Sequence, residues 1–368
     1  MKVIFYLSDP EVVGSSRYRV SMYLPYLNER GIKYYISTPA PDYLFESFLE
    51  QTNSYLKKII YYLYYFFRRL KDILKAYKYD VVFIQRQIYP YGPPLLEKLL
   101  LLLNKKIIYD TDDANFAKPI FTPHNLFQKF RPIEKITYLI KISKHVTVAD
   151  EYIRKYALQF NANVTVIPMC IDLNHYIKND KIKQYIGKPI VGWAGTKSGL
   201  FYLKSIKNVF QKLKKEHDFT LKIISGAADT IVKEIESEGL DIEKKKWNFD
   251  EEISDLYTLD IGIVPLVKEE FEKGKFPFKA LQYMAVGIPV VGTRWGVLEE
   301  IITDGVNGFL VDDEKDWIDK LSILIENTEL RHKMGENGRK VIKEKFTYDI
   351  NAPEFINIIK RIYRPIKV

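Results

Sequence analysis

Short apolar runs recur along the chain, separated by longer stretches of helical period. In the first half they are VIFYL (3–7), YYIST (34–38), VVFIQ (81–85), KIIYD (106–110), HVTVA (145–149) and VTVIP (164–168). Near-continuous apolar runs of this length predict strands buried on both faces. Helical patterns such as Tyr18–Arg30 and Pro94–Leu103 lie between them, which predicts a parallel sheet covered by helices. The pattern then restarts with IVGWAG (190–195), TLKIISG (220–226), DIGIVPL (260–266), IPVVGT (288–293) and GFLVDD (308–313). The expected fold class is α/β, with two Rossmann-like doubly wound domains at about 1–175 and 187–346. The polar, basic stretch LNHYIKNDKIKQYIGKP (173–189) is the expected linker. The last helical pattern, Ala352–Tyr363, has no strand after it. It is expected, within 350–368, to cross back onto the first domain. Ligands of such sheets bind at the carboxyl ends of the strands, so the site is expected in a cleft between domains, lined by strand-to-helix loops.

Composition narrows the partners. A chain of 368 residues fits two domains, and 47% hydrophobic with 28% charged residues is globular. Lys+Arg 56 against Asp+Glu 47 gives +9, which favours anionic ligands. The single cysteine, Cys170, excludes an internal disulfide and a cysteine metal cluster, and the five histidines have no HExxH-like spacing. No metal site is therefore expected. MKVIFYLSDP reads as a first strand rather than a signal peptide, and no apolar run is long enough to span a membrane.

Several loops concentrate chemistry. In KGKFPFKALQYMAVGIPVVGT (273–293), Pro277 suits the first helical position, Phe278–Val286 reads as a short helix, and Gly287 lies just past its end. Free N–H groups at that helix start, with Lys273, Lys275 and Lys279, form a seat for a phosphate or diphosphate. The alternative is a solvated charge cluster. Gly195, Thr196 and Gly199 make a tight turn where backbone N–H groups can approach a phosphate. Asp110, Asp112 and Asp113 crowd one strand end. Unless a cation pairs with them, at least one is expected to have a raised pKa. Such a group can serve as a general base or bind acceptor hydroxyls; otherwise Asp112 or Asp113 caps a helix. Arg17, Arg19 and Arg86 can hold phosphate or carboxylate, or pair with the acidic loop.

The segment 54–79, SYLKKIIYYLYYFFRRLKDILKAYKY, is aromatic and basic, with Lys57, Lys58, Arg68, Arg69, Lys71 and Lys75 interspersed. It suits an anionic membrane surface, because the run Tyr61–Phe67 is wider than one core stripe. The alternative is a core helix with a solvated basic face. No nucleic-acid motif is present.

Taken together, these motifs resemble the retaining, nucleotide-sugar-dependent GT-B glycosyltransferases (group 1, family 4-like). GKFPFKALQYMAVGIPVVGTRWGVLEEIITDGVNGFLV (274–311) follows that family's nucleotide-sugar segment. SSRYRV (15–20) and YDTDDA (109–114) recur in one branch, as does a GK-x-x-x-KALQYMA pattern. WAGTKSG (193–199) sits at the family's first glycine-rich turn of the C-terminal domain, and VIPMCID (166–172) leads into its linker.

The resemblance implies that Lys275 and Lys279 hold the donor diphosphate, with Lys279 stabilising charge on the leaving group. Gly195, Thr196 and Lys197 would lie at the phosphates, with Lys197 as the family's basic residue. Asn248 and Phe249, after Trp247, would face the base; an aromatic there is otherwise a core anchor. Asp112 and Asp113 would be catalytic, and Arg17, Arg19, Arg86 and Asp110 would lie on the acceptor side. Many members carry two glutamates eight positions apart, where this chain has Gly274 and Gln282. Gln282 can bond ribose hydroxyls, and Glu272 is the nearest replacement for the other carboxylate.

The implied reaction needs no cofactor or metal beyond the nucleotide-diphosphate sugar as co-substrate. It serves cell-surface polysaccharide or glycoconjugate synthesis, with a glycan or lipid-linked acceptor. The implied location is cytoplasmic, peripheral at the inner membrane face. The rival functions are a nucleotide-sugar epimerase on the same fold and a non-catalytic nucleotide-sugar-binding scaffold. A dinucleotide dehydrogenase is disfavoured because no GxGxxG follows the first strand.

Overall fold

A computed structural model describes residues 1–50, 54–118, 133–176, 187–236 and 239–363. The chain divides into two compact units, one built from Met1–Met169 and the C-terminal helix, the other from Cys170–Thr347. Each holds one six-stranded parallel sheet. Residues 177–186 of the expected linker, and 364–368 of the expected C-terminal helix, lie outside the described residues.

The first sheet contains β1 (Lys2–Tyr6), β2 (Lys33–Ser37), β3 (Val81–Gln85), β4 (Ile107–Thr111), β5 (His145–Val148) and β6 (Val164–Val166), in the order 2-1-3-4-5-6. Its central strands are wholly buried, as their apolar runs require. The chain leaves β1 toward β2 on one side and returns to β3 on the other. The order therefore reverses between β1 and β3, the place where doubly wound sheets open a crevice. The final helix, Tyr348–Tyr363, packs on this unit: Phe355 stacks on Tyr23 at 4.3 Å between ring centroids and meets Phe83 at 5.4 Å.

The second sheet contains β7 (Ile190–Ala194), β8 (Thr220–Ile224), β9 (Asp241–Lys245), β10 (Ile261–Val264), β11 (Val290–Thr293) and β12 (Gly308–Val311), in the order 12-11-10-7-8-9. Its reversal lies between β7 and β10. Strand β9, DIEKK, was not expected from the sequence. It is the exposed edge strand and pairs with β8 alone, so it needs no apolar run.

Helix boundaries differ from expectation in two places. The pattern Tyr18–Arg30 is not one helix: Gly14–Arg19, a 3₁₀ turn at Ser21–Tyr23 and Leu24–Glu29 follow one another. Pro25, which has no N–H to donate, sits in the first turn of the last piece. Pro277 lies immediately before the helix Phe278–Ala285 rather than at its first position.

His145 on β5 is buried, with Nε2 at 3.0 Å from Thr165 Oγ1. Burial, helped by the nearby Arg361, lowers its pKa to about 4. The unfolded chain protonates this residue near 6.5. Between these values the unfolded state binds more protons, so the contribution is complete above about pH 6.5 and is lost as pH falls toward about 4. His145→Gln is therefore expected to shrink the drop in Tm between pH 7 and pH 5. An unchanged drop would show that a neutral buried imidazole is not its source.

Candidate active site

In the second unit, the loops after β7 and β10 meet at the reversal of strand order, and the lysines expected at the diphosphate lie there. Lys279, in the first turn of the helix Phe278–Ala285, donates to Glu252 Oε1 at 2.7 Å, and Trp247 Nε1 donates to the same oxygen at 3.0 Å. The Lys279 side chain is 29% exposed and Glu252 11%. Burial pushes the Glu252 carboxyl up, but Lys279, with donors from Trp247 and Gln282, outweighs it and holds the carboxyl below its usual range. Lys279 is thus a fixed, partly exposed cation rather than a solvated one.

Lys275 lies over the ring of Tyr202, 4.4 Å from its centroid, with Nζ 3.3 Å from the hydroxyl. That hydroxyl donates to Glu272 Oε1 at 2.7 Å. Glu272 is 1% exposed, and its other oxygen is enclosed without a hydrogen-bond partner. The chain holds a carboxylate beside Lys275, two positions before Gly274. Gly296, at φ +58°, lets the following loop approach: a Cβ there would lie 2.1 Å from the Lys273 carbonyl oxygen.

Gly195, Thr196 and Lys197 follow β7, and Thr196 and Lys197 are exposed. Gly195 has to be glycine because a Cβ would lie 2.4 Å from the Trp193 ring. Asn248 and Phe249 line an open concavity of about 550 Å³ with Lys245, Lys246, Trp247 and Glu251. Phe249 is 55% exposed, so it is no core anchor. Gln282 is placed differently from expectation. Its side chain is wholly buried, and Nε2 donates to the Tyr176 hydroxyl at 2.8 Å. A ribose can reach it only if Tyr176 moves.

In the first unit two of the three arginines, Arg19 and Arg86, are paired with the acidic loop. Arg19 is 2% exposed. Its guanidinium bonds both oxygens of Asp110 and the Ile167 carbonyl. Asp110 is fully buried and also accepts from Thr147 Oγ1 at 2.6 Å. Burial raises the Asp110 carboxyl, and Arg19 offsets part of that rise. Both residues were expected on the acceptor side; the structure makes them an internal strut, because neither reaches the surface.

Arg86 is the non-glycine residue with positive φ, +59°, among the described residues. Its guanidinium clamps Asp112, at 2.9 Å to Oδ2, and Asp113, at 2.6 Å. The crowded carboxylates are therefore neutralised in part by two arginines. A turn at 115–117 follows them rather than a capped helix. Arg17 donates to the Val12 carbonyl at 2.8 Å. Asp113 is 23% and Arg86 24% exposed, while Asp112 is nearly enclosed.

Glu252, Tyr202 and Tyr176 were not singled out from the sequence. Glu252 stands in a run of acids, Asp250–Glu252, and only its position facing Lys279 separates it from its neighbours. Among the described residues, no group of three His, Cys, Asp or Glu is placed to hold a metal ion.

Residues 187–341 match the family model described as glycosyl transferases group 1. An uncharacterized glycosyltransferase of Methanocaldococcus jannaschii is 28% identical over 227 residues, 55% of this chain and 60% of its own length. The chain spans less than a third of the length of several other curated relatives. Sucrose-phosphate synthase from Thermosynechococcus elongatus superposes with a TM-score of 0.73 at 14% identity, over 98% of both chains. The Anabaena protein Alr3699/HepE, solved in complex with UDP-glucose, gives 0.69 at 16% identity, over 98% of this chain and 99% of its own. The fold is that of the GT-B glycosyltransferases, two Rossmann-like domains in one chain, and residues 187–341 match the group 1 glycosyl transferase family model.

Proposed function

We propose that the protein is a retaining glycosyltransferase. It moves a sugar, a hexose or a related one, from a nucleotide-diphosphate donor to a hydroxyl of a glycan or lipid-linked acceptor. The work belongs to cell-surface polysaccharide or glycoconjugate synthesis at the inner face of the cell membrane. The observation that carries this reading is the pair of lysines at the β7–β10 reversal, Lys279 fixed by Glu252 and Lys275 on Tyr202. Breaking the bond between sugar and phosphate puts charge on the departing diphosphate. Cations prepositioned at the N-terminus of the helix Phe278–Ala285, where the helix dipole is positive, stabilise that charge as it develops. That the UDP-glucose complex of Alr3699/HepE shares the fold supports a nucleotide-sugar donor.

In this reading Gly195, Thr196 and Lys197 border the phosphates, Asn248 and Phe249 the base, and Gln282 the ribose after Tyr176 withdraws. Glu272 supplies the carboxylate that Gly274 lacks. The acceptor is bound by the first unit, with Arg17, Arg86, Asp112 and Asp113 at its polar strand ends. Asp112 and Asp113 are held in Arg86's clamp, so the leaving phosphate, rather than a free carboxylate, takes the proton of the attacking hydroxyl during same-face attack. Proton NMR of the product made from an α-linked donor tests retention: the new linkage is expected to be α, and a β product would contradict the mechanism.

Lysines in place of a cation make a further expectation. Transfer should survive exhaustive EDTA treatment and dialysis. Activity that disappears with EDTA and returns with magnesium or manganese would contradict the role given to Lys275 and Lys279.

A further inference from the structure

The helix Tyr55–Ile73 carries three stripes. The inner one is buried and includes Tyr61, Tyr65, Arg69, Asp72 and Ile73. Arg69 belongs to the core despite its charge: its guanidinium donates to the carbonyls of Leu7, Ser37 and Ile88 and lies over Tyr65 at 5.0 Å. The aromatic run is thus split, with Tyr61 and Tyr65 facing inward while Tyr64 and Phe67 face out.

The second stripe is apolar and faces water. Leu56, Ile59, Ile60, Leu63 and Phe67 are 66%, 44%, 47%, 53% and 63% exposed. At 3.6 residues per turn these five fall within about 100° of one another. Beside them runs the third stripe, Lys57, Tyr64, Arg68 and Lys71, continued by Lys75 just past the helix end. The helix contains one acid, Asp72, which is buried and accepts from Ser37 Oγ at 2.7 Å. The exposed surface of the helix is therefore apolar along one side and cationic along the next, with no anion among them.

A contiguous exposed apolar stripe marks an interaction surface. Its cationic border selects the partner. A second copy would bring one basic rail toward another on a chain of net charge +9. An anionic bilayer instead offers acyl chains to the leucines, isoleucines and Phe67, and headgroup charge to the lysines. No helix among the described residues is long and apolar enough to cross a membrane. We propose that this face of the helix docks the protein on the surface of an anionic lipid bilayer. Docking needs neither donor nor acceptor, so it stands apart from the transfer reaction.

The test is sedimentation with vesicles of phosphatidylcholine alone or mixed with phosphatidylglycerol, over a salt series. The wild-type protein is expected to bind the mixed vesicles, less as salt rises, with a remainder that salt does not remove. Lys57→Glu, Lys71→Glu and Lys75→Glu together should weaken that binding by about 100-fold or more, taking roughly fivefold for each cation near the surface. Ile60→Ser, Leu63→Ser and Phe67→Ser together should remove the salt-resistant remainder. All six residues are on the surface, and an unchanged Tm is the check on folding. Indifference of the wild-type protein to mixed vesicles at low salt would overturn the proposal. So would equal binding by both variants, or a concentration-dependent dimer, without vesicle binding, that the serine variant dissolves. Donor-induced stabilisation, measured without vesicles, reports separately on the proposed activity.

Discussion

Lys279→Ala is expected to slow transfer by about 100- to 1,000-fold, equivalent to ~2.7–4 kcal/mol of transition-state stabilisation, the range for loss of one preorganised oxyanion donor. The size follows from where Lys279 stands. It is held by Glu252 in the first turn of the helix Phe278–Ala285, at the positive end of the helix dipole. Removing the ammonium also exposes a negative Glu252 to a negative diphosphate, so the loss exceeds that of a solvated lysine. Lys279→Arg keeps the charge and is expected to retain much of the activity. The Lys279→Ala loss should appear both as weaker donor binding and as lower kcat, because the diphosphate is anionic before the bond breaks and gains charge as it breaks. Unchanged turnover in a variant of wild-type Tm would remove Lys279 from the site.

Arg19→Met is expected to destabilise the first unit by about 3–5 kcal/mol, since it leaves Asp110 buried without its cation. That is a large share of the roughly 5–15 kcal/mol that holds typical domains folded. Burial already raises the Asp110 carboxyl against the pull of Arg19. Without the arginine it rises further. The penalty belongs to the ionised form, so it is present above the new folded pKa and fades as pH falls through it. Thermal melts at pH 7 and pH 5 should show the Arg19→Met deficit shrinking at the lower pH. Adding Asp110→Asn should recover part of it at pH 7. A well-folded Arg19→Met variant that loses only acceptor affinity would return Arg19 to the acceptor side.

Both sheets were legible because buried parallel strands are written as continuous apolar runs, and eleven of them stand in the sequence as such. The twelfth, β9, could not be read this way, since an edge strand exposed along most of its length reads like a polar loop. Lysines 275 and 279 were legible from their place around Pro277. Their partners were not, because Tyr202 and Glu252 are brought in by other elements of the same unit. Gln282 reads as a ribose ligand by motif, but it sits behind Tyr176. Arg69 shows the limit most plainly. Sequence places it among surface cations, and only the packing of β1, β2 and the loop after β3 encloses it with three carbonyl acceptors.

Whether the second unit takes a nucleotide-diphosphate sugar is tested most directly by thermal melting of the wild-type protein and Lys279→Ala against a panel of such sugars. A ligand that binds only the native state at about 100 times its Kd adds about 2.7 kcal/mol of stability and raises Tm accordingly. At least one sugar nucleotide is expected to raise the wild-type Tm, with a smaller rise in Lys279→Ala. No shift with any of them, or an equal shift in both proteins, would contradict the account.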